Sequence, residues 1–194
     1  MLPQNSTEMA LTGHSQDIVA AMKVLHLRRA AAYLYYEKDH PMQQAIHRMK
    51  YADQPIIGYQ LGRLAALAFQ YSGFFDGIDV IVPLSLHPRR LRERGYNQSE
   101  YIARGLSDVT GIPVDTTHVM RIRNTSKQAL QRAENRRQNV ADAFAVNHPE
   151  QMYRKHILVV DDLITTGETM RSCLRAMKRF RGATFSVFAL CKAQ

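Results

Sequence analysis

Two adjacent carboxylates, Asp161 and Asp162, follow an apolar run and precede a turn rich in threonine and glycine. The apolar run, His156 to Val160, predicts a strand that is buried on both faces. In open α/β sheets, ligands bind outside the carboxyl ends of the strands, which is where these acids would lie. Residues 159–169 are therefore the candidate binding site.

The turn after the acids has the composition of a phosphate site. Gly167 lets the backbone approach a ligand closely, and the amides at a helix N-terminus attract an anion. Vicinal hydroxyls, such as those of a ribose, are suitable hydrogen-bond donors to the two acids. The segment therefore predicts a ribose 5-phosphate ligand, whose phosphate would be bound by Thr165, Thr166, Gly167, Glu168 and Thr169.

An acid pair after a strand also occurs in two further classes of protein, and both fit this sequence less well. A P-loop ATPase needs the pattern GxxxxGKS or GxxxxGKT, which this sequence lacks. A receiver domain has its acids near an early strand, whereas these lie near the C-terminus. A simple helix cap by Thr165 or Thr166 accounts for neither the two acids nor Gly167.

Strands and helices alternate along the chain, which predicts an α/β fold with a mostly parallel twisted sheet flanked by helices. The predicted strands are Ala30 to Tyr36, Ile78 to Val82, His156 to Val160 and Thr184 to Leu190. Helical patterns begin near Ser15, at Pro41, after Asn97 and after Gly167. A further helix is predicted with an apolar face made of Ile57, Leu61, Leu64 and Ala68.

Three local signals bear on helix ends and cores. Asn97 with Glu100 predicts a start like a capping box, and Gly111 predicts the end of that helix. After Gly167, the helix carries Met170, Cys173, Leu174 and Met177 on one apolar face.

The composition suits one soluble domain and narrows the partners. Lys and Arg outnumber Asp and Glu by 26 to 17, which favours an anionic partner without choosing between nucleic acid and a phosphorylated small molecule. The two cysteines, Cys173 and Cys191, are too few for a disulfide framework or a four-cysteine zinc site. Both are predicted to be buried, which suits the cytoplasm. Neither a membrane-spanning stretch nor a secretory signal is expected.

At residues 159–169 the sequence resembles the fingerprint of type I phosphoribosyltransferases. More widely, it is similar to the ComF/GntX-like family over about residues 30 to 192. The matching stretches are Val82-Pro83-Leu84, Arg90, Arg94 to Ser99, Arg121, Arg123, Thr125, Gln128, Arg136 or Arg137, Asn139-Val140 and Ala143-Phe144. Many relatives carry an N-terminal four-cysteine zinc module that is missing here, so no zinc is expected and functions of that module do not carry over.

Residues 1–14 are polar and lack periodicity, which predicts a disordered leader. The resemblance implies a type I phosphoribosyltransferase fold with a small N-terminal hood at 15–77 and a core at 78–194. It implies a loop that binds pyrophosphate, with Arg90 and Arg94 neutralising the ligand's charge. That loop comprises Leu84, Ser85, Leu86 and His87. It also implies a mobile loop over 123–139, in which Arg123, Lys127 and Gln128 shield the reacting ribose.

The implied activity is transfer of ribosyl 5-phosphate from 5-phosphoribosyl-1-pyrophosphate to a nitrogen acceptor, with Asp161 and Asp162 orienting the ribose. Mg²⁺ would be held mainly through the substrate. The resemblance also leaves open a non-catalytic adaptor of DNA uptake that binds single-stranded DNA or a helicase, and a sensor of the ligand. The acceptor, which the hood would select, and an oligomeric state are left open.

Overall fold

The computed structural model describes residues 27–36, 41–123 and 143–193. Their central element is a four-stranded sheet in which every neighbouring pair is parallel. Its strands, in spatial order, are β1 (Leu27–Tyr36), β6 (Thr184–Ala193), β5 (His156–Ile164) and β2 (Val80–Pro83). The predicted leader, the predicted helix after Ser15, and Lys127 and Gln128 lie outside the described residues.

The central strands are buried on both faces, as their continuous apolar runs predict. In β5, Ile157 and Val159 belong to one hydrophobic core, whereas Leu158 and Val160 belong to the core on the opposite face. Alternate residues of a strand point to opposite sides, so a single apolar run supplies both cores. β5 is longer than its apolar run and continues through both acids to Ile164.

On one face of the sheet lies α5 (Glu168–Met177), together with a small antiparallel pair, β3 (Val119–Arg121) and β4 (Phe144–Val146). The apolar face predicted for this helix is confirmed. Its buried residues include Met170, Cys173, Leu174 and Met177. Cys191 in β6 is buried as well, so both cysteines are core residues.

The opposite face is covered by α1 (Pro41–Tyr51), α2 (Ile56–Phe69) and α4 (Gln98–Thr110). The apolar face predicted for α2 is confirmed only in part. Ile57 and Leu61 are partly buried and pack against this core, whereas Leu64 and Ala68 are exposed. Leu64 is 51% exposed, and the buried residues are Gly58, Gly62, Ala65, Ala66 and Phe69.

Close packing of α2 against α4 explains this difference. A Cβ atom added at Gly62 would lie 2.3 Å from the carbonyl oxygen of Ile102, and one added at Gly105 would lie 2.1 Å from that of Tyr59. The two backbones approach so closely that only small residues fit between them. The larger side chains of α2 therefore point elsewhere.

Helix α4 begins and ends where the sequence predicts. Asn97 Oδ1 accepts a hydrogen bond of 3.2 Å from the amide of Ser99, and Gly111 ends the helix with φ of 72°. The reciprocal half of the capping box is absent, because Glu100 lies 2.6 Å from Arg104 instead. A short helix, α3 (Pro88–Arg94), precedes it.

The segment assigned to the hood contributes to the central sheet, because β1 pairs with β6 along its length. The boundary at Ile78 stays a prediction. Among the helices of the described residues, none is both long enough and apolar enough to cross a bilayer.

Candidate functional site

The acid pair lies within the carboxyl-terminal part of β5, the second strand from one edge of the sheet. Adjacent residues of a strand point to opposite faces. Asp161 accordingly lies on the side of Cys173 and Arg121, with which it interacts electrostatically. Asp162 points toward the face that α1 covers. The two carboxylates therefore have different surroundings.

Asp161 is held by donors from two elements. Its Oδ1 accepts a hydrogen bond of 2.8 Å from the amide of Asp162 and one of 3.2 Å from the hydroxyl of Ser99, in the first turn of α4. Burial, followed by the neighbouring charge of Asp162, raises the pKa of Asp161 to about 7. The two hydrogen bonds and Lys50 act in the opposite direction. Its surroundings thus favour the protonated form more than those of an exposed aspartate would.

Asp162 is paired with a lysine that the sequence analysis missed. Lys50 Nζ, in the last turn of α1, lies 2.9 Å from Asp162 Oδ2, and the two side chains are only 18% and 6% exposed. Within the described part of the chain, Asp162 Oδ2 has no hydrogen-bond partner beside this ion pair. Lys50 is therefore the main compensation for the charge of Asp162.

The turn after β5 is open to an anion. Gly167 has φ of 73° and ψ of 3°, stands at the N-cap of α5, and no threonine side chain caps the helix. For the amides of Thr165 to Thr169, the described residues provide no main-chain acceptor. Arg171 donates a 3.1 Å hydrogen bond to the carbonyl of Thr166 and forms an ion pair with Glu168. Arg171 thus holds the turn in place, and the amides of the turn stay available to an anion.

The loop after β2 contributes a second set of amides. Leu84 donates its amide to the carbonyl of Val160 at 2.8 Å and accepts a hydrogen bond from Asn97, so its main chain is fully used in positioning the loop. His87 caps α3 by accepting a hydrogen bond from the amide of Arg89. The amides of Ser85, Leu86 and His87 have no main-chain acceptor among the described residues. The hydroxyl of Ser85 is buried there without a hydrogen-bond partner.

A cleft of about 900 Å³ lies between the end of α1 and α3. Arg90 and Arg94 both line it, as their spacing of four residues predicts for one side of a helix. Arg94 donates a hydrogen bond to Gln98, and its guanidinium lies 5.4 Å from the ring centroid of Tyr51. The lining consists of Lys50, Tyr51, Asp53, Arg90, Arg92, Glu93, Arg94, Gly95 and Tyr96.

Arg121 joins the cationic side of the site, a role that the sequence analysis did not give it. Its guanidinium stacks 5.6 Å from the ring of Phe144, its neighbour across the β3–β4 pair. Burial, followed by the charge of Arg90, lowers the pKa of Arg121, while Asp161 opposes this shift. The arginine therefore lies within electrostatic reach of both Arg90 and Asp161.

The segment predicted to form the mobile loop is described only at its start. Arg123 is exposed there. Lys127 and Gln128 lie beyond the described residues, so their assigned roles stay predictions.

The donor set offers little for a metal ion held by protein alone. Within residues 27–36, 41–123 and 143–193, no cluster of three or more His, Cys, Asp or Glu side chains could hold one. Of the two acids, Asp162 is compensated by Lys50 and Asp161 by hydrogen bonds. These residues would suit an ion that takes most of its oxygen ligands from a substrate and water.

Comparisons with known proteins point to one family. A phosphoribosyl transferase domain model matches residues 91–194. The DNA utilization protein YhgH of Escherichia coli is 32% identical over 155 residues, which cover 78% of this chain and 67% of that protein. Competence protein F of Haemophilus influenzae is 32% identical over 158 residues, which cover 79% and 69% of the two chains.

Among solved structures, the glutamine phosphoribosylpyrophosphate amidotransferase of B. subtilis, complexed with ADP and GMP, matches 68% of this chain. Its sequence is 19% identical and the TM-score is 0.44. The chain spans 26% of that protein's length.

Proposed function

Because the chain belongs to the phosphoribosyl transferase domain family, we propose that it binds 5-phosphoribosyl-1-pyrophosphate and transfers the ribosyl 5-phosphate to a nitrogen acceptor. One observation carries the proposal. The acid pair near the end of β5 is followed, after two more strand residues, by a turn whose five amides, Thr165 to Thr169, have no main-chain partner in the described structure. An anion and a diol would thus be bound side by side.

The substrate's 5-phosphate would be bound by these amides and by the N-terminus of α5, whose dipole favours negative charge. Threonine hydroxyls of the turn would add donors. The ribose hydroxyls would donate to Asp161 and Asp162, because an ionised carboxylate only accepts hydrogen bonds. Phosphate and ribose would then be oriented together, which is what a displacement at C1 requires.

The reaction itself breaks the bond between C1 and a pyrophosphate oxygen and forms one between C1 and nitrogen. Pyrophosphate leaves with the bonding electrons, and the nitrogen loses a proton. As the bond breaks, positive charge develops on the ribose, and Asp161 and Asp162 would help to stabilise it. The leaving group gathers negative charge near Arg90 and Arg121, which would stabilise the transition state electrostatically.

A magnesium ion fits this arrangement as a companion of the substrate. Held mainly through the substrate, it would neutralise charge on the leaving group. The pyrophosphate would be held at the same time by Arg90, Arg121 and the amides of Ser85 to His87. The protein would therefore not have to supply all the ligands of the magnesium ion.

Release of pyrophosphate tests the proposal. The chain would be incubated with 5-phosphoribosyl-1-pyrophosphate, Mg²⁺ and, in turn, a panel of nucleobases and amines. We expect release that depends on one acceptor class and that is abolished in a folded Asp161→Asn, Asp162→Asn variant. Release at equal rates from the wild type and this variant would refute the assignment of the acids. Tight binding without release for any acceptor would favour a ligand sensor.

A second candidate function rests on a surface at the opposite end of the sheet. Near the first residues of β5 and β6, a cavity of about 470 Å³ is lined by Pro149, Glu150, Tyr153, Arg179 and Arg181. Tyr153 is 53% exposed, and the guanidinium of Arg154 lies 5.1 Å from its ring centroid. An exposed aromatic ring among arginines is suited to single-stranded nucleic acid, through base stacking and phosphate contacts. The names of the relatives, DNA utilization protein and competence protein, agree with such a role.

Salt dependence tests this second candidate. Fluorescence anisotropy with a labelled single-stranded oligonucleotide should show affinity that falls steeply with salt, because phosphate contacts release counterions. An Arg179→Gln, Arg181→Gln variant should bind more weakly and with a shallower salt dependence. Arg63→Gln, which removes an exposed arginine of α2, is the matched control and should have little effect. If both variants lost affinity for the oligonucleotide equally, the binding would reflect only nonspecific attraction to a basic protein.

A further inference from the structure

Lys50 lies where α1, the acid pair and the basic cleft meet. Its ammonium is 2.9 Å from Asp162 Oδ2, and its side chain also lines the cleft that holds Arg90 and Arg94. Lys50 belongs neither to the sequence motif of the acids nor to the stretch that the domain model matches, residues 91–194. Its position suggests that it acts on the acids from outside the matched domain.

The end of α1 is fixed in place by contacts with the segment that follows α3. The hydroxyl of Tyr96 donates a hydrogen bond to the carbonyl of Met49, and Tyr96 itself is buried. On the other side of Lys50, the ring of Tyr51 lies beneath the guanidinium of Arg94. Both neighbours of Lys50 in the chain are therefore anchored, so its backbone cannot withdraw freely from Asp162.

Adjacent buried carboxylates cannot both be ionised without compensation. Among residues 27–36, 41–123 and 143–193, the titratable groups that interact with them come from four elements. Lys50 of α1 and Arg121 of β3 are the cations, and the thiols of Cys173 in α5 and Cys191 in β6 are the others. Burial raises the pKa of both thiols, so they remain neutral at moderate pH. Of the groups that the structure describes around the acids, Lys50 and Arg121 are thus those that can favour ionised acids.

We propose that Lys50 is a positioning residue that compensates the buried charge of the acid pair and thereby sets the pH above which the pair binds ribose hydroxyls. The inference rests on the proposed function, since it assumes that the pair binds ribose. Without Lys50, the pair would share its protons up to higher pH and would offer fewer acceptors to a diol. The two acids titrate as a coupled pair, so the measurable quantity is the apparent pKa of the pair.

The pH profile of ligand binding tests the proposal. Ribose 5-phosphate would be titrated calorimetrically into the wild type and three variants over a range of pH. In Lys50→Met, the midpoint of the acidic limb should rise by about one unit or more, since an opposite charge at this distance shifts a carboxyl pKa by that amount. In Lys50→Arg, which keeps the positive charge, the midpoint should stay close to that of the wild type. Arg48→Met, which removes an exposed cation from the same helix, should leave the midpoint unchanged.

A stability measurement keeps the proposal testable if Lys50→Met folds poorly or if no ribose 5-phosphate binds. Removing one partner of a buried ion pair is strongly destabilising, whereas removing both charges is far less so. Lys50→Met should therefore lower the urea midpoint, and Lys50→Met combined with Asp162→Asn should recover most of the loss. A double variant as unstable as the single one would overturn the proposal, and so would a folded Lys50→Met variant whose binding profile matches the wild type. Absence of binding by the wild type at every pH would contradict the proposed function, and the stability comparison would still decide whether Lys50 compensates the charge of Asp162.

Discussion

The hydroxyl of Ser99 lies 3.2 Å from Asp161 Oδ1, and this contact joins the first turn of α4 to the acid at the end of β5. Asn97, which caps the same turn, also donates a hydrogen bond to the carbonyl of Leu84 in the loop after β2. One helix start thus holds both the acid and the loop predicted to bind pyrophosphate. The packing that fixes α4 therefore bears directly on the candidate site.

Replacing Gly62 by alanine should disrupt this packing. The new methyl group would lie 2.3 Å from the carbonyl oxygen of Ile102, a backbone atom that cannot rotate away. We expect a loss of at least about 3 kcal/mol in the free energy of unfolding, at the upper end for overpacked cores. Leu64→Ala is the control, because this exposed side chain lies on the face of α2 that the sequence predicted to be buried. Urea unfolding that gives a larger loss for Leu64→Ala would contradict the observed packing.

Replacing Asp161 by asparagine should stabilise the protein in a way that grows with pH. The folded state raises the pKa of Asp161 above its unfolded value, so between the two values the folded state binds more protons and stability falls as pH rises. Asparagine removes this cost, and its Oδ1 can still accept both hydrogen bonds. The gain should be small near pH 4 and reach about 1 kcal/mol or more above pH 7.

Urea unfolding over this pH range checks the expectation for Asp161. The control is Asp108→Asn, which neutralises an exposed acid paired with Arg63 and should show no such growing gain. An Asp161→Asn variant that is no more stable than the wild type at high pH would show that the folded state does not penalise the charge of Asp161.

Replacing Gly167 by alanine should weaken phosphate binding by more than the loss of stability alone explains. A side chain at φ of 73° costs about 1 kcal/mol, and the added Cβ would meet nothing closer than Arg171 Nη2 at 3.9 Å. We expect this modest loss of stability together with weaker binding of ribose 5-phosphate, because the amides of the turn would be displaced. Gly77→Ala, with φ of 66° and open space around its Cβ, should cost similar stability and leave binding unchanged. If both variants bound ribose 5-phosphate with equal affinity, the turn would not be the phosphate site.

Arginines on the cationic side should distinguish pyrophosphate from phosphate. Arg90→Met and Arg121→Met should each weaken binding of 5-phosphoribosyl-1-pyrophosphate by about tenfold or more, since hydrogen bonds to charged groups contribute about 1.5 to 3 kcal/mol. Binding of ribose 5-phosphate should change much less. Arg89→Met is the control, because Arg89 is exposed on the same helix as Arg90 and pairs with Glu93. If all three variants bound both ligands more weakly to the same extent, the effect would reflect the overall charge of the protein.

The sequence predicted those features that depend on local periodicity. The apolar run before Asp161 and the buried face of α5 can be recognised from neighbouring residues, because burial follows the repeat of a strand or helix. The glycine that ends α4 can be recognised from its residue type, because glycine adopts a positive φ at a helix end without strain. The turn after β5 was recognisable for a similar reason, since its strand, acids, glycine and helix follow each other directly. The continuation of β5 through the acids was missed, because two carboxylates normally end an apolar strand.

What the sequence could not predict depends on contacts between distant segments. The buried face of α2 was predicted only in part because glycine and alanine fill much of it, and small residues mark a face only when the neighbouring helix is known. Lys50 precedes its partner Asp162 by more than a hundred residues, and no spacing connects them. Arg121 belongs to a motif of the resemblance, yet its proximity to Arg90 and Asp161 follows from the pairing of β3 with β4.

The most direct test of the phosphate site is to follow the backbone amides of the turn during a titration with ribose 5-phosphate. In nitrogen-15-labelled protein, the amides of Thr165 to Thr169 should show the largest chemical-shift changes and saturate with one ligand per chain. The same titration of the Asp161→Asn, Asp162→Asn variant should leave them unchanged. Saturable shifts confined to another part of the chain, or none at all, would contradict the assignment of this turn as the phosphate site.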